Sequence, residues 1–390
     1  MLDLVELKSV CNIQSGGTPS RKKNSYYEGD IKWAKISDLE TSGDGFIYDT
    51  EEKITSAGLE NIRNRLFEVN TLFLAMYGSV GKTAITKSRM SCNQAILGIT
   101  CKDTNLVDLG YLKYWFDSSK QRLLDSARGV ALKNLSAGMV KDLKIPLPPL
   151  KTQKHIAQIL DDAAALRDKT KQLLTEYDLL AQAIFLEMFG DPVSNSKGFE
   201  IKKLGDLGKW QSGGTPSRKI MEYYEGDIPW LSSGELNEMY ISESKEHITE
   251  KALKESSTKL VPKGSLLLGM YDTAALKSTI NTRDLTCNQA IAFGVLDPKL
   301  INIVYAYSII QLGRDHYRRL QRGARQKNLN LSMVKGIKIL YPSIHLQNQF
   351  AEKIALIEQQ KELAKQELKE SEDLFNCLLQ KAFKGELIKD

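Results

Sequence analysis

The side chains of this chain that could do chemistry are scattered where a reaction would need them gathered. The four histidines, His155, His247, His316 and His345, include no pair at metal-ligand spacing, so neither a zinc site nor a histidine acid–base pair is expected. The run MYGSVGKT at 76–83 approaches a phosphate loop, but Met76 stands where the first glycine belongs. Strand-like residues rather than a helix follow Lys82 and Thr83, so the run is rejected as a nucleotide site. No G-x-G-x-x-G fingerprint, no G-x-S-x-G elbow and no Asn-Pro-Pro-Tyr run occurs. No catalytic residue and no metal ligand is assigned. Loops are instead supplied with hydrogen-bonding and cationic groups: Ser20, Arg21, Lys22 and Lys23; Tyr77, Ser79 and Lys82; Arg128, Lys133 and Asn134. Arg and Lys neutralise phosphates, while Arg, Asn and Gln match the hydrogen-bonding edges of guanine and adenine.

The same loops occur twice. Ser217, Arg218 and Lys219, then Tyr271, Thr273 and Lys277, then Arg322, Arg325, Gln326, Lys327 and Asn328 repeat the first set in order. The words around them repeat too. QSGGTPSRKKNSYYEGDIKW at 14–33 returns at 211–230 as QSGGTPSRKIMEYYEGDIPW, with 16 of 20 positions identical, and CNQAI occurs at both 92–96 and 287–291. The offset between copies stays between 194 and 197. A period of half the chain makes the repeated unit a whole domain with whatever follows it.

Each copy opens on SGGTP, whose paired glycines and proline signal a turn with a positive φ at Gly16 or Gly17. A second turn is expected at Glu28-Gly29-Asp30, before a strand holding Ile31 and Trp33. Short apolar runs at 71–77, 84–86 and 94–100 read as strands, and 109–127 as a helix with Leu112, Trp115, Phe116, Leu123 and Leu124 on one face. The prolines Pro146, Pro148 and Pro149 close the domain. From Lys151 to Phe189 the pattern becomes one long helix with a 4–3 seam at Ile159, Ala163, Leu166, Thr170, Leu173, Tyr177, Leu180 and Ile184. A second, over about 345–384, carries Ile354, Ile357, Lys361, Ala364, Leu368, Ser371, Phe375, Leu378 and Ala382. Each is roughly 55–60 Å long at the α-helical rise. Stripes of that length need partners, and the economical partner of each helix is the other, packed antiparallel. The expected fold is therefore α+β: globular α/β domains at 1–150 and 191–344, separated by long helices at 151–190 and 345–390. The helices would form an antiparallel intramolecular coiled coil with pseudo-two-fold symmetry.

Bulk composition agrees with a globular protein: 390 residues, 42% hydrophobic and 26% charged, with a formal charge of +6 from 54 Lys and Arg against 48 Asp and Glu. That mild excess permits a polyanionic partner without requiring one. Five cysteines without a C-x-x-C argue against a disulfide framework and a zinc site. With no basic leader, no long apolar run at the start and no stretch of 18 apolar residues, a cytoplasmic protein without a membrane partner is expected.

Two similar domains at a fixed separation suit a rod with two sites. Half-sites one turn of duplex DNA apart lie about 34–36 Å apart. The order of motifs resembles the specificity subunit of type I restriction–modification systems. The features that carry the likeness are SGGTPSR…YYEGDI.W opening each half, LKIPLPPLKTQKHIAQIL at 143–160, and the long helix after each domain. The second copy departs at ILYPSIHLQNQF (339–350), with one proline where the first has three. The resemblance implies two target-recognition domains, each reading half of an asymmetric split sequence in double-stranded DNA, with the helices as a spacer. It implies two modification subunits that bind S-adenosylmethionine and methylate adenine, and restriction/translocase subunits that use ATP and Mg2+. The specificity subunit itself would be non-catalytic and cofactor-free. A coiled-coil scaffold that only joins proteins is the alternative, and a self-contained methyltransferase is another.

If the two halves read different sequences, shared residues build the fold or grip phosphate, and divergent residues in the same loops read bases. Gly16, Gly17, Pro19 and Trp33 are then structural, and Cys92 and Cys287 are buried core residues. Arg21/Arg218 and Lys133/Lys327 are either phosphate contacts or local salt bridges. Divergence concentrates at Ala131-Leu132 against Arg325-Gln326 and at 79–82 against 273–276. Arg325→Ala is therefore expected to relax sequence preference in one half-site only, by roughly 1–3 kcal/mol per lost base contact. Equal weakening on all sequences would make Arg325 a phosphate contact instead.

Overall fold

The computed structural model describes residues 4–126, 134–321 and 328–388. They form two compact units: residues 1–171 with 366–390, and residues 172–365. Each unit holds one globular domain and part of both long helices, so the unit boundary falls inside the helices and not at their ends.

In the first unit the strands are β1 (Leu4–Glu6), β2 (Cys11–Ser15), β3 (Tyr27–Ala34), β4 (Phe46–Ile47), β5 (Lys53–Ile54), β6 (Leu72–Ala75), β7 (Thr83–Thr86), β8 (Ser91–Cys92), β9 (Ile96–Cys101) and β10 (Lys144–Pro146). They make a five-stranded sheet in the order β2-β9-β6-β7-β4, a three-stranded sheet β5-β3-β8, and the pair β1-β10. The central strand β6 is buried throughout because both of its faces are covered. Its alternation sorts the side chains. Leu72 and Leu74 join a core with Tyr111, Leu112, Trp115 and Phe116 of the helix Leu109–Ser126, while Phe73 and Ala75 join a second core with Ala34 and Cys92 of the smaller sheet.

The second unit repeats this plan with β11 (Glu200–Lys203), β12 (Gly208–Ser212), β13 (Ile228–Leu231), β14 (Tyr240–Ile241), β15 (His247–Ile248), β16 (Leu260–Val261), β17 (Leu266–Gly269), β18 (Ser278–Asn281), β19 (Leu285–Cys287), β20 (Ile291–Leu296) and β21 (Lys338–Tyr341). Its large sheet runs β12-β20-β17-β18-β14, beside β15-β13-β19-β16 and the pair β11-β21. Leu266 and Leu268 face the helix Ile303–Leu312, and Leu267 faces the smaller sheet. Repetition in sequence is thus repetition of sheet order and of which side chain fills which core.

The two long helices are Leu150–Phe189 and Ile344–Lys384. Both carry a fully buried glutamine in their first turn. The Gln153 side chain accepts from the Asp108 N–H and donates to the carbonyls of Leu106 and Pro148. Gln347 accepts from the Asn302 N–H and donates to Pro342. Both helices end at a left-handed glycine, Gly190 (φ 73°) and Gly385 (φ 77°), the conformation that closes helices with least steric cost.

Within each unit the helix segments pack antiparallel. In the first, Lys171 pairs with Glu372 and Arg167 stacks on Phe375. In the second, Asp178 pairs with Lys361, and Phe185 and Phe189 pack on Phe350. On the second helix the covered stripe follows the expected positions: Ile354 and Ile357 are buried, and Leu368, Phe375 and Leu378 are half-buried. On the first helix alternate positions differ by one residue. Leu166 and Leu180, expected in the seam, are 52% and 47% exposed, and Ile159 and Leu173 are only half-buried. Leu160, Arg167 and Ala181 are more covered than Ile159, Leu166 and Leu180 and lie beside Ala163, Thr170, Tyr177 and Ile184, while Leu173 and Leu174 are equally half-buried. A hydrophobicity count favours Leu166 over Arg167, but the arginine covers Phe375 with its guanidinium 4.9 Å from the ring centroid. Leu160→Ala should therefore destabilise the first unit by about 2–5 kcal/mol, whereas Leu166→Ala should stay within about 0.5 kcal/mol. Urea unfolding of the two variants checks the register, and the reverse ranking would restore the original seam.

Candidate nucleic-acid interface

The two most repeated words of the sequence are packed on each other. Gly16 N–H donates to Ile96 O (2.9 Å) and Gly17 N–H to Cys92 O (2.8 Å), and Gly213 and Gly214 repeat this with Ile291 and Cys287 at 3.0 and 2.9 Å. A Cβ on Gly16 or Gly213 would lie 2.2 Å from the carbonyl oxygen of Cys92 or Cys287. Glycine is required here by close approach of two backbones. The positive φ expected at this turn is absent, since neither glycine pair is left-handed. Likewise the expected turn at Glu28-Gly29-Asp30 is a bulge inside β3, with Glu28 at φ 61° and a register shift between Tyr27 and Ile31.

The rest of the opening motif folds over this contact. Trp33 Nε1 donates to Gly17 O at 2.9 Å, and Trp230 to Gly214 O at 3.0 Å. The hydroxyls of Tyr27 and Tyr224 donate to the carbonyls of Pro19 and Pro216. Arg21 is ion-paired to Glu52 at 2.8 Å and stacks 4.4 Å from the Tyr27 ring centroid. Arg218 does the same with Glu246 at 2.5 Å and Tyr224 at 4.3 Å. Of the two readings open for this arginine, the local salt bridge is the arrangement present. Burial alone would raise the Glu52 pKa, but hydrogen bonds from Lys35 and Arg21 outweigh it and hold the carboxyl below its ordinary value.

A chain of hydrogen bonds carries this scaffold to the divergent loops. The Thr18 hydroxyl donates to Gln94, and Thr215 to Gln289. Met76 N–H donates to Ala95 O and Leu135 N–H to Met76 O; Met270 N–H donates to Ala290 O and Leu329 N–H to Met270 O. Four segments therefore meet on one surface of each unit: the SGGTPSR turn, the Asn-Gln of CNQAI, the loop after β6 or β17, and the segment entering at Asn134 or Asn328. At this meeting point Tyr77 and Tyr271 are 39% and 38% exposed. Tyr271 and Asn328 form an antiparallel bridge. Around them Ser20, Lys22, Lys23, Ser217, Lys219, Gln94 and Gln289 are exposed. The Ser79 hydroxyl donates to Glu40, and Lys277 Nζ donates to Asn237 at 2.7 Å. The surface offers aromatic rings, amides, hydroxyls and ammonium groups, with no nucleophile–base–orienter array among the described residues. Among the same residues no group of three or more His, Cys, Asp or Glu could hold a metal ion, and no helix is long and apolar enough to cross a membrane.

The model of the type I restriction modification DNA specificity domain matches the chain twice, at residues 2–176 and 196–372. The chain belongs to that family. Among its relatives, the type I restriction enzyme MjaIX specificity subunit of Methanocaldococcus jannaschii is 26% identical over 318 residues, 77% of this chain and 73% of that protein. The EcoR124I/EcoR124II specificity subunit of Escherichia coli is 28% identical over 275 residues, 67% of this chain and 66% of that protein. The fold is that of a type I restriction–modification S subunit from M. genitalium, with a TM-score of 0.60 at 15% identity over 98% of this chain and 96% of that one. A chain from a structure of type I restriction–modification complex assembly gives 0.62 at 16% identity over 99% and 98%.

The expected site residues divide accordingly. Ser20, Lys22, Lys23, Tyr77, Ser79, Lys82 and Asn134, and in the second unit Ser217, Lys219, Tyr271, Thr273, Lys277 and Asn328, belong to the meeting segments. Arg21 and Arg218 serve the scaffold. Arg128, Lys133, Arg322, Arg325, Gln326 and Lys327 lie outside the described residues. Sequence reasoning passed over Thr18, Gln94 and their counterparts, although their identity in both copies was a usable signal. Because the Glu52 pKa is lowered, its contribution is complete above the ordinary carboxyl value of 4.5 and is lost as pH falls through its folded value. Glu52→Gln should remove that acid-side slope from urea unfolding of the first unit. A variant with the same slope as the parent would place the titrating group elsewhere.

Proposed function

We propose that each unit reads one half of an asymmetric, bipartite site in double-stranded DNA, and that the lengths of the two long helices set the spacing between the halves. The observation that carries this reading is a pair of loop sets mounted identically and furnished differently. The scaffold contacts recur bond for bond, while Ser79-Val80-Gly81 is answered by Thr273-Ala274-Ala275-Leu276. A protein that reads two different half-sites needs that combination of fixed mounting and variable surface. Family membership supports the same substrate class.

The chain serves as the non-catalytic subunit of its complex, acting in the cytoplasm. Two modification subunits bring S-adenosylmethionine, and restriction/translocase subunits bring ATP and Mg2+. Leucines left exposed on the long helices supply apolar surface for such partners. In the second unit these are Leu179, Leu180, Leu186, Leu356 and Leu363, and in the first Leu166 and Leu374. Mapping methylated adenines in cells that express the chain with its modification subunit should return one bipartite motif. Removing one heptad from both long helices should change the spacer of that motif and leave its half-sites intact. An unchanged spacer would refute the ruler, and a complex without salt-dependent DNA binding would favour a protein-only scaffold.

A further inference from the structure

In the second unit the loop between β17 and β18 holds a backbone conformation that its sequence disfavours. Leu276 is fully buried and has φ 58°. The matching turn of the first unit is made by Gly81 at φ 80°. The correspondence is fixed by hydrogen bonding, since Gly81 N–H donates to Ala75 O and Leu276 N–H to Gly269 O. An L side chain in the left-handed region is strained, and such strain persists only where the surroundings over-determine it.

The surroundings here are specific. Arg314, just beyond the helix Ile303–Leu312, donates from Nε to Ala275 O at 2.9 Å and from Nη2 to Thr273 O at 2.6 Å. One guanidinium thus grips two carbonyls on either side of Ala274. The Leu276 side chain lies in the same core as Met239 and Leu266, and Lys277 is tied to Asn237. Gln311, on the helix Ile303–Leu312, donates to the Ser278 hydroxyl at 2.5 Å, so that helix and the Arg314 that follows it hold the first residue of β18 and the loop respectively. Among the described residues of the first unit there is no such fork. Lys120 occupies the matching place, with its Cγ 3.2 Å from where a Gly81 Cβ would be, against a loop made pliable by Gly78 and Gly81.

We infer that Arg314 is a positioning residue for sequence reading by the second unit, clamping the loop so that the exposed Tyr271 and Thr273 meet base edges in a fixed pose. The inference rests on the proposed DNA reading. Fixing such groups before binding sharpens discrimination between sequences, because a loop that can re-pose itself can satisfy a wrong base. Arginine suits the task because its rigid planar fork addresses two acceptors at once, whereas lysine is a single mobile ammonium.

The test is methylation mapping in cells expressing the full chain with its modification subunit, with parent, Arg314→Ala and Arg314→Lys compared and thermal melting recorded for each. Arg314→Ala should relax base preference at one half-site by about tenfold, the scale of one lost base contact, and leave the other half-site and the spacer unchanged. Arg314→Lys should relax the same half-site by less. A parent-like motif from both variants, or equal loss at both half-sites, would overturn the assignment. If the alanine variant does not accumulate, the lysine variant decides, and an unaltered half-site there overturns it as well. A parent complex yielding no bipartite motif would instead overturn the DNA reading itself, and this inference with it.

Discussion

The four segments that meet on one surface of each unit hang from the contact between two glycines and the backbone of a neighbouring strand end. With a Cβ only 2.2 Å from the Cys92 or Cys287 oxygen, no other residue fits at Gly16 or Gly213 without moving the chain. That approach brings the carbonyls of Gly17 and Gly214 to the indoles of Trp33 and Trp230, and Thr18 and Thr215 to Gln94 and Gln289. Arg21 and Arg218 close over the tryptophans and tyrosines, with a glutamate completing each box. Remove the close approach and the bonds from Ala95 to Met76 and from Met76 to Leu135 lose their register. The divergent loops would then have no common origin.

A second constraint acts along the long helices. Their seams hold polar and charged groups where a uniform apolar stripe would slide. Thr170 and Ser371 are nearly buried and return their hydroxyls to their own helices, at Leu166 O and Leu368 O. Lys361, with its side chain 14% exposed, lies between Asp178 at 2.8 Å and Glu358 at 2.9 Å. A half-buried ammonium between two carboxylates stabilises little relative to an apolar replacement, but losing its partners is costly. It penalises any shift of one helix past the other, as polar seam positions do in coiled coils.

Much of this organisation is legible in the sequence, because duplication supplies an internal comparison. The repeat, the strand-length runs, the helix at 109–126 and both long helices follow from periodicity and from glycine and proline punctuation. What stays hidden has one physical cause, which is that partners distant in sequence decide the outcome. Arg21 reads equally as a phosphate contact or a salt bridge until Glu52 folds back upon it. Gly16 reads as a turn glycine because nothing local reveals the Cys92 carbonyl. Arg167 loses to Leu166 in a count of hydrophobicity that cannot see the Phe375 ring. Even the bulge at Glu28 needs the register of β5 to be recognised.

The same comparison explains how one fold can carry two differently furnished loop sets without two folding problems. Residues identical in both copies spend their hydrogen bonds on one another, so substitutions in the loops leave the scaffold's accounting unchanged. The loops are then free to adopt different stiffness. The first unit uses Gly78 and Gly81 at φ 64° and 80°, where glycine costs no strain but leaves conformational freedom. The second accepts a left-handed Leu276 and offsets the strain by burying its side chain and gripping the neighbouring carbonyls with Arg314. Both solutions return the chain to the same strand pair, β6 with β7 and β17 with β18, at the same register from Leu74 and Thr83 to Leu268 and Ser278. The scaffold constrains where a loop must begin and end, and the loop's own sequence determines how firmly it is held between those points.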